Sequence, residues 1–216
     1  MFFLLFKRKS KNKALKVILF YILYCILNEG LSFYLQSIES LNFKYLLYAF
    51  TVFEYSFFCY FTYLIFNSEK TKKIIPIIWI AFILFATVDY IFFNHFNGFD
   101  SFTIGIESII VILLCISYLL IQIKKTNNFL IYSTFNFWVI ITFLIYFSGT
   151  FFLYLLTDHS RNNPSFQKLY FIINISFNIL KNILLCVAMT MKLNDSLNQK
   201  TIIPNLDDDL FIPKKI

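Results

Sequence analysis

Runs of about twenty apolar residues organise this chain. "IIPIIWIAFILFATVDYIFF" (residues 74–93) and "FTIGIESIIVILLCISYLLIQI" (residues 102–123) are two of them. A helix rises about 1.5 Å per residue, so such a run spans the roughly 30 Å hydrocarbon core of a bilayer. Backbone polar groups in lipid must be satisfied within the segment, and the helix does this. A membrane β-barrel would need alternating segments of about ten residues, and the sequence has none. The expected fold is therefore all-α: a polytopic transmembrane helix bundle. Six spans are predicted, over residues 14–36, 44–66, 74–93, 102–123, 129–156 and 168–191, with a flexible tail over 192–216.

Composition agrees. Of 216 residues, 59% are hydrophobic and only 14% are charged, against about a quarter charged in a soluble domain. The net charge of +7 does not point to nucleic acid, because the basic residues flank the apolar runs. Lipid headgroups are their natural partner, and the bilayer is the first partner expected.

Basic residues also set the orientation. One side of the six-span scheme carries Lys7, Arg8, Lys9, Lys11, Lys13 and Lys16, then Lys70, Lys72 and Lys73, then Lys124 and Lys125, and the tail lysines. The other side carries Lys44, Arg161 and Lys168. Both termini are expected in the cytoplasm. The basic then apolar start lacks a small-x-small cleavage site, so it reads as an uncleaved first span. The tail motif "LDDDLF" reads as part of a solvated end, with a docking peptide as the alternative.

Five ionisable residues fall well inside the runs: Glu29, Glu54, Asp89, Glu107 and Lys181. Each costs roughly 2.5–3.5 kcal/mol on insertion scales. The helical rise puts Glu54 near the midplane, Glu29 roughly 6 Å and Asp89 and Glu107 roughly 8 Å toward the outside. Lys181 comes a few Å to the cytoplasmic side. The acids share one slab with the lysine at its floor, and Glu54 is expected to pair with Lys181.

Polar neighbours recur at helical spacing. Tyr21, Cys25, Asn28, Ser32 and Gln36 form one stripe, with Glu29 on its edge. Tyr48, Thr51, Tyr55, Cys59 and Thr62 form a second beside Glu54. Glu107 and Ser108 lead a third, and Asn174, Asn178 and Lys181 share a face with Asn182 on its edge. The expected ligand-site residues are thus Glu29, Glu54, Asp89, Glu107, Ser108, Asn178, Lys181 and Asn182. The bland alternative is that these groups only hold helices together, at about 0.6 kcal/mol per hydrogen bond.

Signatures of catalysis are missing. The chain has no H-E-x-x-H and no Gly-rich phosphate loop. His95 and His159 are its only histidines, and both are expected in outer loops. With Asp100 and Asp158 they make a weak metal set. No C-x-x-C occurs, and the four cysteines lie inside predicted spans, which argues against a disulfide or zinc. No enzyme activity, cofactor or metal is expected.

"AFTVFEYSFFCYFTYLIF", "FDSFTIGIESIIVILLCISYLL" and "NFWVIITFLIYFSGTFFLYLL" together resemble small bacterial integral membrane proteins. Those are similar to the membrane-embedded input regions of sensor histidine kinases. The resemblance implies a bacterial inner-membrane location and a signalling role. It places Glu54, Glu107 and Ser108 in the shared motifs without assigning them a task. The reading this supports is a non-enzymatic sensory or accessory module with a polar pocket in the outer half, acting through a cytoplasmic or membrane partner. The alternatives are a small transporter or solute-binding membrane subunit, and a purely structural membrane protein.

Overall fold

A computed structural model describes residues 12–37, 43–92, 101–124, 131–160 and 164–192. The N-terminal basic segment through Lys11, His95, Asp100, Lys125, Arg161 and the tail from residue 193 lie outside the described residues. Six helices follow in order: α1 (Lys13–Ser37), α2 (Phe43–Ile65), α3 (Glu69–Phe92), α4 (Ser101–Ile123), α5 (Phe135–Ser160) and α6 (Pro164–Thr190). The described residues form no strand, and each predicted apolar run lies on one helix. Five of the six helices are long and apolar enough to cross a membrane. α2 is not among these five, because it carries Glu54 and a series of tyrosine and threonine hydroxyls that lower its hydropathy.

Local sequence explains the helix ends. Asn12 caps α1, its Oδ1 accepting the Ala14 amide at 2.9 Å, as an Asn N-cap does. α3 starts a turn earlier than its apolar run, at Glu69, so Pro76 lies inside the helix. There it cannot donate to the Lys72 carbonyl. The fifth run was expected to become helical at residue 129, but α5 begins at Phe135. Ile131–Ser133 instead forms a 3-10 turn. The stretch is held by backbone bonds from Phe135 N to Lys192 O at 2.8 Å and from Lys192 N to Ser133 O at 3.2 Å. Those bonds tie the start of α5 to the end of α6.

Neighbouring helices run antiparallel. α1 pairs with α2 through Tyr24 against Phe50 and Phe20 against Phe57. α2 pairs with α3 through Tyr48 against Tyr90, Tyr55 against Phe82, and the Trp79 indole N–H donated to Ser56. α5 meets α6 along its length, from Phe135 beside Lys192 to Tyr154 beside Tyr170. The core is an aromatic stack in which Phe143 touches Tyr21, Phe58 and Phe147. The outer surface is apolar: Phe20, Ile77, Leu84, Leu113, Phe152 and Phe171 are all exposed. So much exposed apolar side chain belongs in lipid.

At Gly149 the Phe177 ring of α6 lies against α5, and a β-carbon built there would overlap that ring. Gly30 has nothing within 4 Å of the same position. Gly149→Ala is expected to displace the ring and lower stability by about 1–3 kcal/mol. Gly30→Ala should be neutral, and Phe177→Leu should restore part of the Gly149→Ala loss. Thermal unfolding of the detergent-purified variants reads all three.

Candidate functional site

Lys181 of α6 is 3% exposed and Glu54 of α2 is 4% exposed. Their side chains meet at 3.3 Å, Nζ to Oε1. Tyr21 of α1 completes the contact. Its hydroxyl donates to the same Glu54 oxygen at 2.5 Å and accepts from Lys181 Nζ at 3.0 Å. A phenol suits this position because its oxygen both gives and takes a hydrogen bond. A fourth helix contributes a ring: Lys181 Nζ sits 4.0 Å from the centroid of Tyr146 on α5, a cation–π contact strengthened by desolvation. One ammonium is thus met by a carboxylate, a hydroxyl and an aromatic face, each from a different helix.

Glu107 of α4 lies within electrostatic reach of both Glu54 and Lys181. It is 1% exposed, and its Oε1 has no hydrogen-bond partner among the described residues. A buried acceptor left unpaired costs about 1–3 kcal/mol, more if charged. Its neighbour Ser108 is buried but spends its hydroxyl on the Ile104 carbonyl of its own helix, at 2.8 Å.

The other expected site residues are elsewhere. Asp89 is buried at the other end of α3, where it accepts from Thr103 at 2.5 Å and ties α3 to α4. Glu29 is exposed, and no residue from Ile26 to Leu35 is buried, so α1 has left the core by that height. Asn182 is also exposed, about 100° around α6 from the inward Lys181. Asn178 is half-buried and donates to the Asn174 carbonyl at 3.0 Å, while Asn174 Oδ1 accepts from Tyr154 at 3.4 Å.

The expected polar pocket in the outer half is not one of the two described cavities. One of about 460 Å³ opens between α2 and α3, and one of about 280 Å³ lies at the α2–α3 turn, beside Tyr118 and Gln122. The stripe hydroxyls have other uses. Thr51, Thr62, Thr142 and Thr150 each bond a carbonyl one turn back on their own helix, which satisfies them without opening a polar space. Tyr146 was not among the expected residues. Its signal was a further stripe, Thr142, Tyr146 and Thr150 at steps of four. Among the described residues no three histidines, cysteines, aspartates or glutamates converge as a metal site would require.

Comparison with protein-family models, curated proteins and solved structures finds no match to this chain. Fold and site together define a multi-pass helical membrane protein whose helices close on a buried ion pair.

Removing one member of such a pair strands the other in hydrocarbon. Lys181→Met is expected to cost about 3–5 kcal/mol, and Tyr21→Phe about 1.5–3 kcal/mol, as for a hydrogen bond to a charged group. The double variant Glu54→Gln with Lys181→Met should recover at least half of the Lys181→Met loss. A double-mutant cycle on thermal unfolding checks this, and additive losses would mean that the two side chains do not interact.

Proposed function

We infer that this protein is a non-enzymatic sensory or accessory module of a bacterial inner membrane, acting through a cytoplasmic or membrane partner. The observation that carries the reading is the convergence of Tyr21, Glu54, Lys181 and Tyr146, from four helices, on one buried ammonium. An ion pair at such a junction has two discrete arrangements, made and broken. A signal that favours one of them shifts α6 against α1 and α2, and a helix shift is the currency of membrane input regions. The resemblance to histidine-kinase input regions points the same way, since Glu54 and Glu107 lie in its motifs.

The reading includes six spans with both termini cytoplasmic. Support comes from α2, which at 23 residues is as long as α4. It packs along both α1 and α3 in antiparallel register, so it shares their depth. The start of α3, next to the α2–α3 turn, carries Lys70, Lys72 and Lys73, as a cytoplasmic helix end should. In a background without the four native cysteines, Ser68→Cys should react with a membrane-impermeant maleimide only after the cells are opened. Labelling of intact cells would invert the orientation.

Glu107 favours a second reading, a small transporter or solute-binding subunit. Glu107 lies within electrostatic reach of the Glu54–Lys181 pair, and its Oε1, without a hydrogen-bond partner among the described residues, offers a seat for a coupling proton or cation. Proton-driven uptake into proteoliposomes, lost in Glu107→Gln with the fold retained, would establish it.

The test of the first reading is thermal stability of wild type and Glu54→Gln against a panel of metabolites and lipids. A compound that stabilises wild type by several degrees and leaves Glu54→Gln unmoved is the expected result. No shift for either protein, with a uniformly lower Tm in the variant, would reduce the ion pair to helix glue.

A further inference from the structure

The 460 Å³ cavity between α2 and α3 has no part in the ion pair's chemistry. Phe53, Phe57, Tyr60 and Tyr63 of α2 form one wall, and Pro76 and Trp79 of α3 form the other. Its volume is that of a small-molecule site. Two polar groups of its lining are engaged: Trp79 Nε1 donates to Ser56 Oγ at 2.9 Å, and Ser56 donates to the Val52 carbonyl at 2.6 Å. What remains is an apolar groove, open to the outside, with Phe53, Tyr60, Tyr63 and Trp79 exposed along it.

Length and charge identify the occupant. From Phe53 to Tyr63 the groove follows about ten residues of helix, or roughly 15 Å, half of a bilayer's hydrocarbon core. It therefore runs from the membrane midplane to one face. At that face lies the start of α3 with Lys70, Lys72 and Lys73, accompanied by one acid, Glu69. Lys72 precedes Pro76 by four residues and Trp79 by seven, so it continues the groove-lining face of α3 by one turn. We propose that this groove holds one acyl chain of an anionic phospholipid, with the lipid phosphate at Lys72 and Lys73. A zwitterionic lipid fits the apolar part equally well but gains less from the lysines, so the headgroup charge gives the selectivity.

The test is native mass spectrometry of the full-length protein, taken from micelles containing equal amounts of phosphatidylglycerol and phosphatidylcholine. Wild type should retain one phosphatidylglycerol in clear preference to phosphatidylcholine. Lys72→Gln and Lys73→Gln should each cut that preference about fivefold, at about 1 kcal/mol per basic residue. These two side chains lie at the membrane face, so the variants should fold. Ser56→Phe, which fills the groove, should abolish retention of either lipid while keeping the wild-type elution volume. Equal retention of the two lipids by wild type would overturn the proposal. So would a preference unchanged in both lysine variants, which would place the lipid elsewhere, or a dimer that Ser56→Phe disrupts, which would make the groove a contact between copies.

Discussion

A lysine ammonium in hydrocarbon has few outlets, and the bundle is closed by the one that Lys181 takes. Most of the helix packing joins neighbours in sequence: α1 with α2, α2 with α3, α4 with α5 and α5 with α6. Such pairs form wherever short turns connect apolar helices, and alone they would leave a ribbon. The bonds from Lys181 to Glu54 and Tyr21 span 127 and 160 residues of chain. They join a side chain of the last helix to side chains of the first two. Hydrophobic attraction cannot do this within a bilayer, because lipid tails are as apolar as the side chains. A polar pair that lipid refuses to solvate can.

The aromatic core sets the strength of that pair. Phe143 packs on Tyr21, and Phe58 packs on Phe143, so the charges are surrounded by rings rather than by water. Low polarity around the pair raises the Coulomb attraction and the cost of breaking it together. It also explains the odd character of α2, the one helix of the six below the apolarity expected of a span. α2 is flanked by α1 and α3 and contacts α4, so one side of it meets protein. Glu54 and Tyr55 are buried on that side, while Tyr60 and Tyr63 lie exposed along the groove.

Apolar runs and their order were legible in the sequence, since hydrocarbon thickness fixes span length whatever the packing. Positions a few Å apart along the helical rise were enough to suggest Glu54 opposite Lys181, and the two side chains meet. Azimuth was legible only where a helix is packed on that face at that height. Glu29 continues the Tyr21–Cys25 face by four residues, but α1 has left the core there, so the stripe ends at Cys25. Asn182 is one step from Lys181 and faces out. Asp89 found Thr103 across a helix pair, and no spacing within one span encodes such a partner. The start of α5 was obscured because its last residues before the helix bond to Lys192, far away in sequence.

Glu54 and the lipid-sized groove are two faces of one helix, and a single ring separates them. Phe57 lines the groove. It also packs against Tyr21 with ring centroids 6.1 Å apart, and against Tyr24 at 5.9 Å. Tyr21 is the hydroxyl that bridges Lys181 and Glu54. Side chains in a close-packed interior do not move independently. An occupant that shifts Phe57 therefore presses on the ring that holds the ion pair together, and a broken ion pair releases Tyr21 toward the groove. The coupling is reciprocal, as any linkage between two sites on one element must be.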